Sequence, residues 1–580
     1  MYLSYNKLCF IHDEVRILSD ITGEICPGEF IGLMGSTGSG KTTLLNLLSN
    51  RLRPTSGDIL YDGYKLDIKY NRNVAYVMQD DILFPNLTVK QTLKYTANLR
   101  LQHLSELERE NIVEQLINDF NLIKVSDKRV GNQEIRGISG GERKRVNIAN
   151  ELLSYPKILF LDEPTSGLDT STSNSIMSRL KQMTKTGISI VVSIHHPSSE
   201  IYKMFDKLIF LSQGNTIFYG KRSRARQYFK TLGYKFSKKQ NLADCVMGLI
   251  VTEELNNEGK SQLSNKLIQN WKNEIPVFTN TNQSYTSTYS LNKVRTNYSD
   301  IITLLKRSVV NNIRSQLDYQ DFIQIILFAF IMGGMWWQLS YNSENINDRT
   351  GVLFLSLLFI AVFRPAYVGL FEFPDERIIV KKERFSESYT LGSYFISKTL
   401  SELPFLFIHP TIFFTIIYFM IGFKLQADAF FINYLFFMLA AYCCNSIGLA
   451  ISSMTGSNVQ RATLILDSYL MTLSNASGYW NKHMNLALGW LRYISPISYA
   501  YNGILVTEFS GTNWTVSNSG ISNSSIIDST LNNLTITGDQ VLKDYNVIFY
   551  SIVPCILILL GWIVLYRVLA FLILIKTMKN

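Results

Sequence analysis

The pattern of apolar and polar positions changes abruptly between the two parts of the chain. Up to about residue 292, short apolar runs alternate with stretches of mixed charge, as expected for a soluble α/β domain. From Phe322 onward, long apolar and aromatic runs dominate, and charged residues are confined to short clusters. Because a chain of 580 residues is too long for one hydrophobic core, this change predicts at least two domains.

Six long apolar segments follow Phe322, and each is long enough to cross a bilayer as a helix of about 20 residues. Their interiors hold few charges, which argues against a large buried core in a soluble protein. They predict an all-α, polytopic membrane domain over residues 319–580. The predicted spans lie near 322–339, 351–371, 399–421, 429–453, 461–477 and 547–571.

Basic residues predict how these spans are oriented, because cytosolic loops carry an excess of Lys and Arg. The short loop after the second span holds five basic residues, Arg377, Lys381, Lys382, Arg384 and Lys398. The segment before the last span holds only Lys482, Arg492 and Lys543. We therefore expect the first loop in the cytosol and the second, 478–546, outside. The first residues do not read as a cleavable signal, so membrane entry is expected to rely on the internal spans. The orientation of the loops also predicts that both termini and the N-terminal domain lie in the cytosol.

The clearest candidate chemistry is a glycine-rich loop placed between a predicted strand and a predicted helix. The loop consists of Gly35, Ser36, Thr37, Gly38, Ser39, Gly40, Lys41 and Thr42, and Thr43 follows it. In this context the pattern is typical of the phosphate-binding loop of α/β P-loop NTPases. The glycines let backbone N–H groups surround a phosphate chain, Lys41 would reach the β- and γ-phosphates, and Thr42 would hold Mg²⁺.

Three later β-type runs end in polar residues suited to metal and water chemistry. Gln79 could coordinate Mg²⁺ or the attacking water. Asp162 is placed to assist Mg²⁺, and Glu163 to polarise the attacking water. His195 could contact the γ-phosphate and position Glu163, and we prefer it to His196 because it directly follows its strand. Glu163, His195 and Gln79 are thus the catalytic candidates, and Thr42, Gln79 and Asp162 are the candidate metal ligands.

A second anion-binding device lies between these residues. Ser139, Gly140, Gly141 and Glu142 open a predicted helix, whose positive end favours a phosphate. One P-loop ATPase does not need two such devices, whereas two copies arranged head to tail do. We therefore expect this loop to cover the γ-phosphate held by another chain. Asp169 lies in a later loop and is assigned to the same nucleotide site.

Taken in order, these motifs resemble the ATP-binding cassette of ABC transporters. Three stretches, 79–85, 138–146 and 193–198, resemble the G subfamily of half-transporters. The resemblance implies a cassette domain over 1–252, an amphipathic connecting helix over 299–318 and a coupling loop over 376–391. Between the first two, the polar stretch 253–298 shows little periodicity and predicts a linker. The resemblance also implies an aromatic residue that stacks on adenine, for which Tyr5 and Phe10 are both candidates.

The resemblance further implies ATP-driven export, or movement between leaflets, of a lipid, sterol or other amphipathic molecule by a dimer of half-transporters. The membrane would be the plasma membrane or an internal vesicle membrane. Because Lys41, Ser139, Glu163 and His195 are all present, a homodimer would have two complete ATP sites. A heterodimer is the alternative assembly that the sequence does not exclude. The alternative is an ATP-gated channel or regulatory membrane subunit with little turnover. The intact Glu163 argues against this alternative, because gating alone can dispense with a catalytic base.

Other polar features of the chain add to this picture. The net charge of +10 is attributed partly to the cytosolic clusters, and no base-reading module predicts a nucleic-acid partner. Arg364, Asn445 and Asp467 lie inside predicted spans and are functional candidates, because ionisable groups in a bilayer are costly. The Arg364 side chain could instead extend to the membrane–water interface. Asp467 is expected to face the interior of the dimer. Sequons at Asn513, Asn523 and Asn533 predict glycosylation, and the six cysteines, which lack metal-ligand spacing, predict structural thiols.

Overall fold

The structure is a computed structural model that describes residues 1–65, 73–234, 236, 241–255, 262–274, 298–316, 319–456, 458–482, 487–515 and 535–579. The chain divides into two units. The first comprises Met1–Thr303 together with Lys382–Thr390, and the second comprises Leu304–Lys381 together with Leu391–Asn580.

The first unit combines β-strands with helices in the alternating order of an α/β domain. Its strands are β1 (Leu3–His12), β2 (Val15–Ile25), β3 (Phe30–Gly35), β4 (Ser56–Tyr61), β5 (Tyr64–Lys65), β6 (Val74–Val77), β7 (Ile158–Asp162), β8 (Ser189–Ser193), β9 (Lys207–Ser212) and β10 (Asn215–Lys221). Its helices are α1 (Lys41–Leu48), α2 (Val89–Arg100), α3 (Glu106–Asp119), α4 (Gly140–Leu152), α5 (Thr170–Thr184), α6 (Ser199–Met204), α7 (Arg222–Thr231), α8 (Leu242–Leu255) and α9 (Gln262–Glu274).

A six-stranded sheet with the order β10-β9-β3-β8-β7-β6 positions the candidate site. All its neighbouring strands are parallel except β9 and β10. Strands β3, β7 and β8 are buried along their whole length, which their uninterrupted apolar runs require. Because parallel strands end at one edge of a sheet, Gly35, Asp162 and Ser193 lie at the same edge.

A smaller antiparallel sheet with the order β2-β1-β4-β5 completes the strands of the first unit. Within it, Phe10 on β1 pairs with Leu18 on β2. A Cβ added to Gly40 would lie 2.6 Å from a methyl carbon of Leu18, so this sheet adjoins the glycine-rich loop.

The stretch predicted as a linker, 253–298, contains a helix, α9, over residues 262–274. Leu267, Ile268 and Trp271 are buried on one face of this helix, and Trp271 contacts Phe218 on β10 with ring centroids 5.7 Å apart. The many Asn and Lys residues of this stretch obscured the short apolar face that packs the helix. Residues 256–261 and 275–297 lie outside the described residues.

The second unit is almost entirely helical. Its helices are α10 (Tyr298–Gln316, which begins in the first unit), α11 (Tyr319–Met335), α12 (Ile346–Ser356), α13 (Arg364–Phe385, whose last turn belongs to the first unit), α14 (Leu391–Ile421), α15 (Ala427–Thr455), α16 (Val459–Asn475), α17 (Leu491–Ile494), α18 (Pro496–Phe509), α19 (Gly538–Asp544) and α20 (Ile552–Lys579). A π-helical segment, Leu357–Phe363, joins α12 to α13, and a short hairpin pairs β11 (Asn513–Thr515) with β12 (Thr535–Thr537).

Among the described residues, four helices are long and apolar enough to cross a membrane. They are the continuous run Ser343–Phe385, α14, α15 and Ile552–Met578. The pair α10 and α11, bent by 59°, would make a fifth if it formed one broken span. The fifth predicted span, 461–477, corresponds to α16, which has 17 residues and is shorter than the helices counted above. The second unit is therefore a polytopic helical domain.

Two segments predicted as connections between spans contain regular structure. The predicted coupling loop 376–391 is helical up to Phe385, because α13 continues through its charged helix formers, and α14 already begins at Leu391. The predicted outer loop 478–546 contains α17, α18, α19 and the β11–β12 hairpin. Of the three sequons expected there, Asn513 lies exposed on β11, and Asn523 and Asn533 fall outside the described residues.

Charged side chains in the second unit form ion pairs that the sequence did not reveal. Lys398 lies 2.8 Å from Glu376 and 2.9 Å from Glu402, and Arg567 lies 3.2 Å from Glu402. The sequence singles out only Arg364, Asn445 and Asp467 inside the predicted spans. Glu402 and Arg567 are distant along the chain, and their proximity depends on helix packing.

Candidate nucleotide-binding site

The glycine-rich loop joins the end of β3 to the start of α1 and is shaped for an anion. Gly38 and Gly40 have φ of 79° and 94°, a left-handed conformation that favours glycine. A Cβ on Gly35 would lie 2.4 Å from Ser39 Oγ, so this position also requires glycine. Helix α1 begins without a side-chain cap, and the Ser39 hydroxyl is buried without a hydrogen-bond partner in the described part of the chain. Free N–H groups and an unpartnered hydroxyl fit a phosphate chain.

Lys41 lies across this loop. Its Nζ donates hydrogen bonds to the carbonyl oxygens of Gly35 at 2.9 Å and Ser36 at 2.8 Å. Burial lowers the pKa of Lys41, and the nearby Glu163 and Asp162 carboxylates oppose this shift. The ammonium group is therefore within electrostatic reach of both acidic candidates. On the same first turn of α1, Thr42 is exposed and Thr43 is half-buried.

Asp162 ends β7 and is held by two hydroxyl groups. Ser193 Oγ donates to one of its carboxylate oxygens at 2.6 Å, and the Tyr76 hydroxyl donates to the other at 3.2 Å. Asp162 is buried, so the two hydrogen bonds fix the direction of its carboxylate. Sequence reasoning missed both donors. Ser193 could have been suspected, because it ends β8 only two residues before His195.

Glu163 lies between the two other catalytic candidates. His195 Nε2 lies 2.8 Å from one carboxylate oxygen of Glu163, and Gln79 donates a hydrogen bond from its side-chain amide to the other at 3.1 Å. The Glu163 backbone has φ of 46°, and its N–H donates to Ser193 Oγ at 2.9 Å. The structure therefore brings together three candidates from the ends of three different strands. His196 does not join them and instead lies 3.5 Å from Asp244.

The charge state of His195 follows from its surroundings. Burial lowers the pKa of His195, the positive charge of Lys41 lowers it further, and the Glu163 carboxylate opposes both effects. The net shift is downward, so the imidazole is neutral near pH 7 and one of its ring nitrogens can accept a hydrogen bond.

Ser139 and Asp169 occupy N-terminal positions of two helices. The Ser139 backbone N–H and hydroxyl both donate to the Glu142 carboxylate at 2.9 Å, and Glu142 N–H donates back to Ser139 Oγ at 3.3 Å. Asp169 accepts a hydrogen bond from the backbone of Thr172 at 2.9 Å, and this bond lowers the pKa of the Asp169 carboxyl group. Ser139 is exposed, and a Cβ on Gly140 would meet no atom within 4 Å. This helix end is therefore open to a ligand from outside the chain.

The two candidates for stacking on adenine are not equivalent. Tyr5 is 2% exposed, and its hydroxyl would lie 2.3 Å from a Cβ on Gly23, so its ring belongs to the core. Phe10 is half-buried, and its strand partner Leu18 contacts the glycine-rich loop at Gly40. Phe10 is therefore the candidate that the fold leaves near a bound nucleotide.

The far end of α4 lies in a cluster of buried charges. Glu151 is 3.1 Å from Arg100 and 3.0 Å from Lys382, which belongs to the Lys382–Thr390 segment of the first unit. Lys382 also donates to Asn147 at 2.7 Å, and Asn147 donates to Asp81 at 2.9 Å. Asp81 lies two residues after Gln79. Helix α4, which is capped by Ser139 at its start, therefore contacts both Lys382 and the loop that holds Gln79 and Asp81. The sequence could not show this cluster, because its members are distant along the chain.

Burial opposes ionisation of Glu151, but Arg100 and Lys382 outweigh it and lower the pKa of this carboxyl group to about 2. Glu151 is therefore ionised at any physiological pH, and the cluster is held by charge as well as by hydrogen bonds.

Matches to known protein families cover both units. Residues 18–166 match the family described as ABC transporter, and residues 299–509 match the family described as ABC-2 type transporter. A further ABC-2 type transporter family matches residues 195–325.

Related proteins align over most of the chain. It is 35% identical over 532 residues to ABC transporter G family member 14 of Arabidopsis thaliana, covering 87% of this chain and 81% of that protein. It is 34% identical over 535 residues to the Broad substrate specificity ATP-binding cassette transporter ABCG2 of Mus musculus, covering 86% and 81%. The chain therefore belongs to the G family of ABC transporters, as a half-transporter in which ATP hydrolysis drives the transport of a substrate across a membrane.

Proposed function

We propose that Glu163 is the catalytic base of a composite ATP site and that two copies of the chain together export an amphipathic molecule. The observation that carries this proposal is the position of the Glu163 carboxylate, which contacts His195 and Gln79 at the edge of the sheet where the glycine-rich loop begins. A carboxylate held in this way can orient and polarise a water molecule for attack on the γ-phosphate. Neutral His195 would hold Glu163 and contact the γ-phosphate.

Thr42, Gln79 and Asp162 would hold Mg²⁺, which supplies charge neutralisation at the phosphates when it is bound. These residues offer hydroxyl, amide and carboxylate oxygens, the ligand types that Mg²⁺ prefers. Gln79 uses its amide nitrogen toward Glu163, so its carbonyl oxygen stays available for a metal. Ser193 and Tyr76 would orient the metal-binding carboxylate of Asp162.

Each site would be completed by another chain. G-family half-transporters typically dimerise, and Ser139 is exposed at the open N-terminus of α4. We assign Ser139, Gly140, Gly141 and Asp169 to the γ-phosphate bound by the partner. Because one chain carries Lys41, Glu163, His195 and Ser139, a homodimer has two equivalent sites and is the assembly that we propose.

Closure of the two cassettes would move the spans through the segment Lys382–Thr390, which Glu151 and Arg100 hold within the first unit. The cargo that we propose is a lipid, sterol or other amphipathic molecule, supported by the many exposed apolar and aromatic side chains of the second unit. The basic residues at the C-terminal end of α13 and Lys398 near the start of α14 favour a cytosolic first unit and cytosolic termini, in the plasma membrane or an internal vesicle membrane.

ATP turnover by purified protein in proteoliposomes tests the proposal. Replacement of Glu163 by Gln should lower the turnover rate about 100-fold or more, because it removes a general base without changing the shape of the side chain. Glu110→Gln, at a partly exposed residue of α3 outside the site motifs, is the matched control and should retain wild-type turnover. If the wild type hydrolyses ATP no faster than Glu163→Gln, the transporter proposal is wrong and the ATP-gated alternative gains support.

A further inference from the structure

Ser193 connects the two acidic residues of the candidate site through a single hydroxyl group. Its Oγ donates a hydrogen bond to the Asp162 carboxylate at 2.6 Å and accepts one from the backbone N–H of Glu163 at 2.9 Å. A serine hydroxyl has one hydrogen to donate, and here that hydrogen is directed to Asp162 while a lone pair receives the Glu163 N–H. Ser193 therefore holds the carboxylate assigned to Mg²⁺ and the backbone of the proposed base at the same time.

The register of the sheet puts Ser193 in a position to make both contacts. It lies opposite Asp162 in the parallel pairing of β8 with β7, and opposite Leu33 in the pairing of β8 with β3, two residues before the glycine-rich loop begins at Gly35. Ser193 is 0% exposed and Asp162 is 3% exposed. Because hydrogen bonds are stronger in a shielded interior than in water, this burial makes the Ser193 hydroxyl a firm support for its two partners.

Glu163 has particular need of such a support. Its φ of 46° is a left-handed conformation, which a residue with a side chain keeps only where surrounding contacts hold it. The hydrogen bond to Ser193 is a contact of this kind, made by the Glu163 peptide group itself. From this backbone position the Glu163 carboxylate reaches His195 at 2.8 Å and Gln79 at 3.1 Å. The direction of the carboxylate thus depends on a backbone conformation that Ser193 stabilises.

We propose that Ser193 is a positioning residue for ATP hydrolysis, which couples the metal-binding carboxylate of Asp162 to the orientation of Glu163. The inference rests on the proposed function, in which Asp162 holds Mg²⁺ and Glu163 activates water. Because one hydroxyl contacts both residues, a movement of the Asp162 carboxylate is passed to the peptide group of Glu163. Ser193 thereby keeps the metal ligand and the base in register with each other.

ATP turnover by the full-length protein in proteoliposomes tests the inference, with kcat measured at saturating ATP and Mg²⁺. Ser193→Ala removes both hydrogen bonds, and Ser193→Cys nearly keeps the side-chain volume but offers only a weakly hydrogen-bonding thiol. Both should lower kcat about tenfold or more, because a small displacement of a catalytic group is costly. Both should also raise the Mg²⁺ concentration for half-maximal turnover about tenfold. Ser193→Cys serves alone if Ser193→Ala fails to fold.

Ser189→Ala is the matched control on the same strand. Ser189 is also 0% exposed, and its hydroxyl likewise accepts a hydrogen bond from a backbone N–H, that of Gly28 at 3.2 Å, and donates one to the backbone oxygen of Cys26 at 2.9 Å. It begins β8, at the end of the strand opposite to Ser193. Ser189→Ala should lower the melting temperature about as much as Ser193→Ala, yet it should retain the wild-type kcat and Mg²⁺ dependence. An equal loss of kcat in both variants would overturn the inference.

A second test places Ser193→Ala in the Glu163→Gln background. If Ser193 acts by orienting the Glu163 carboxylate, its loss should change the residual turnover of Glu163→Gln less than about twofold, because the base is already absent. A full tenfold loss in that background, or wild-type kcat and Mg²⁺ dependence in the Ser193 variants, would overturn the inference. Both outcomes differ from failure of the proposed function, in which the wild type itself would hydrolyse ATP no faster than Glu163→Gln.

Discussion

The hydroxyl of Tyr76 donates a hydrogen bond to Asp162 at 3.2 Å, and the guanidinium of Arg51 lies over the Tyr76 ring, 4.2 Å from its centroid. The same guanidinium lies 4.9 Å from the ring centroid of Phe385. Phe385 belongs to the Lys382–Thr390 segment of the first unit. Tyr76 thus joins the carboxylate proposed to hold Mg²⁺ to the segment proposed to transmit cassette closure.

Tyr76→Phe should raise the Mg²⁺ concentration that ATP turnover requires, and it should preserve the ring contact with Arg51. The variant removes the hydrogen bond that orients Asp162 but keeps the ring. Loss of an outer contact to a metal ligand typically costs 10–100-fold in metal affinity, so we expect the Mg²⁺ concentration for half-maximal ATP turnover to rise about tenfold. Turnover measured against Mg²⁺ concentration checks this.

Tyr61→Phe is the matched control for this variant. Tyr61 is also a buried tyrosine of the first unit, but its hydroxyl donates to the backbone oxygen of Leu48. It should not change the Mg²⁺ dependence. An unchanged Mg²⁺ dependence in Tyr76→Phe, or an equal change in both variants, would contradict the role given to the Tyr76 hydroxyl.

Glu151→Gln should destabilise the first unit in a pH-dependent way. The substitution leaves Arg100 and Lys382 buried without their carboxylate, at a cost of about 3–5 kcal/mol in the free energy of unfolding. The pKa of Glu151 is lowered from near 4.5 to about 2, so its ionisation contributes about 3 kcal/mol at pH values above 4.5. This contribution is lost as the pH falls from about 4.5 toward 2.

The measurement is the difference in melting temperature between wild type and Glu151→Gln across a pH series. We expect it to stay constant from pH 7 to about 5 and to narrow below pH 4.5. Glu110→Gln breaks an exposed ion pair with Lys94 and should change the stability by less than about 1 kcal/mol. A difference that grows on acidification would show that the charge of Glu151 does not stabilise the fold.

Mixed dimers should reveal whether the ATP sites are shared between chains. One chain carries Lys41→Ala and the other Ser139→Ala, and differently tagged copies allow the mixed dimer to be purified. If each site combines Lys41 of one chain with Ser139 of its partner, both lesions fall in one site and the other site is intact. ATP turnover of the mixed dimer should then exceed that of either mutant homodimer. Turnover no higher than that of the Lys41→Ala homodimer would argue for sites contained within single chains.

The Arg349–Glu508 pair should show strong energetic coupling. Both side chains are 0% exposed. Arg349 also donates to the backbone oxygens of Leu339 at 2.7 Å and Gly422 at 2.9 Å, so it links three segments of the second unit. Arg349→Met or Glu508→Gln alone should cost about 3–5 kcal/mol, because each leaves a buried polar group or charge without its partner.

The double variant Arg349→Met with Glu508→Gln should cost less than the sum of these two single changes, since no buried charge remains. Thermal unfolding of the purified protein measures all the variants. Arg364→Met is the control, because its ion pair with Asp321 at 3.2 Å is partly exposed and should contribute little. Additive losses at Arg349 and Glu508 would show that the pair is not coupled.

The sequence by itself determined the chemistry of the nucleotide site, because its signals are local. A glycine-rich loop needs its glycines at fixed spacing, and Gln79, Asp162–Glu163 and His195 each follow an apolar run that forms a strand. Once these strands are parallel, their ends must meet at one edge of the sheet. Long apolar runs likewise predicted a helical membrane domain, because a bilayer requires uninterrupted apolar length.

Only the tertiary structure decided which side chains meet over long distances in the chain. It placed Tyr5 in the core and left Phe10 near the glycine-rich loop, two alternatives that strand patterning could not separate. It paired Glu402 with Arg567 and placed the hydroxyl of Tyr367 against the carboxylate of Asp467. Such contacts depend on how helices pack and rotate against one another, and a linear pattern of apolar and polar positions specifies the buried face of a helix but not the residue opposite it.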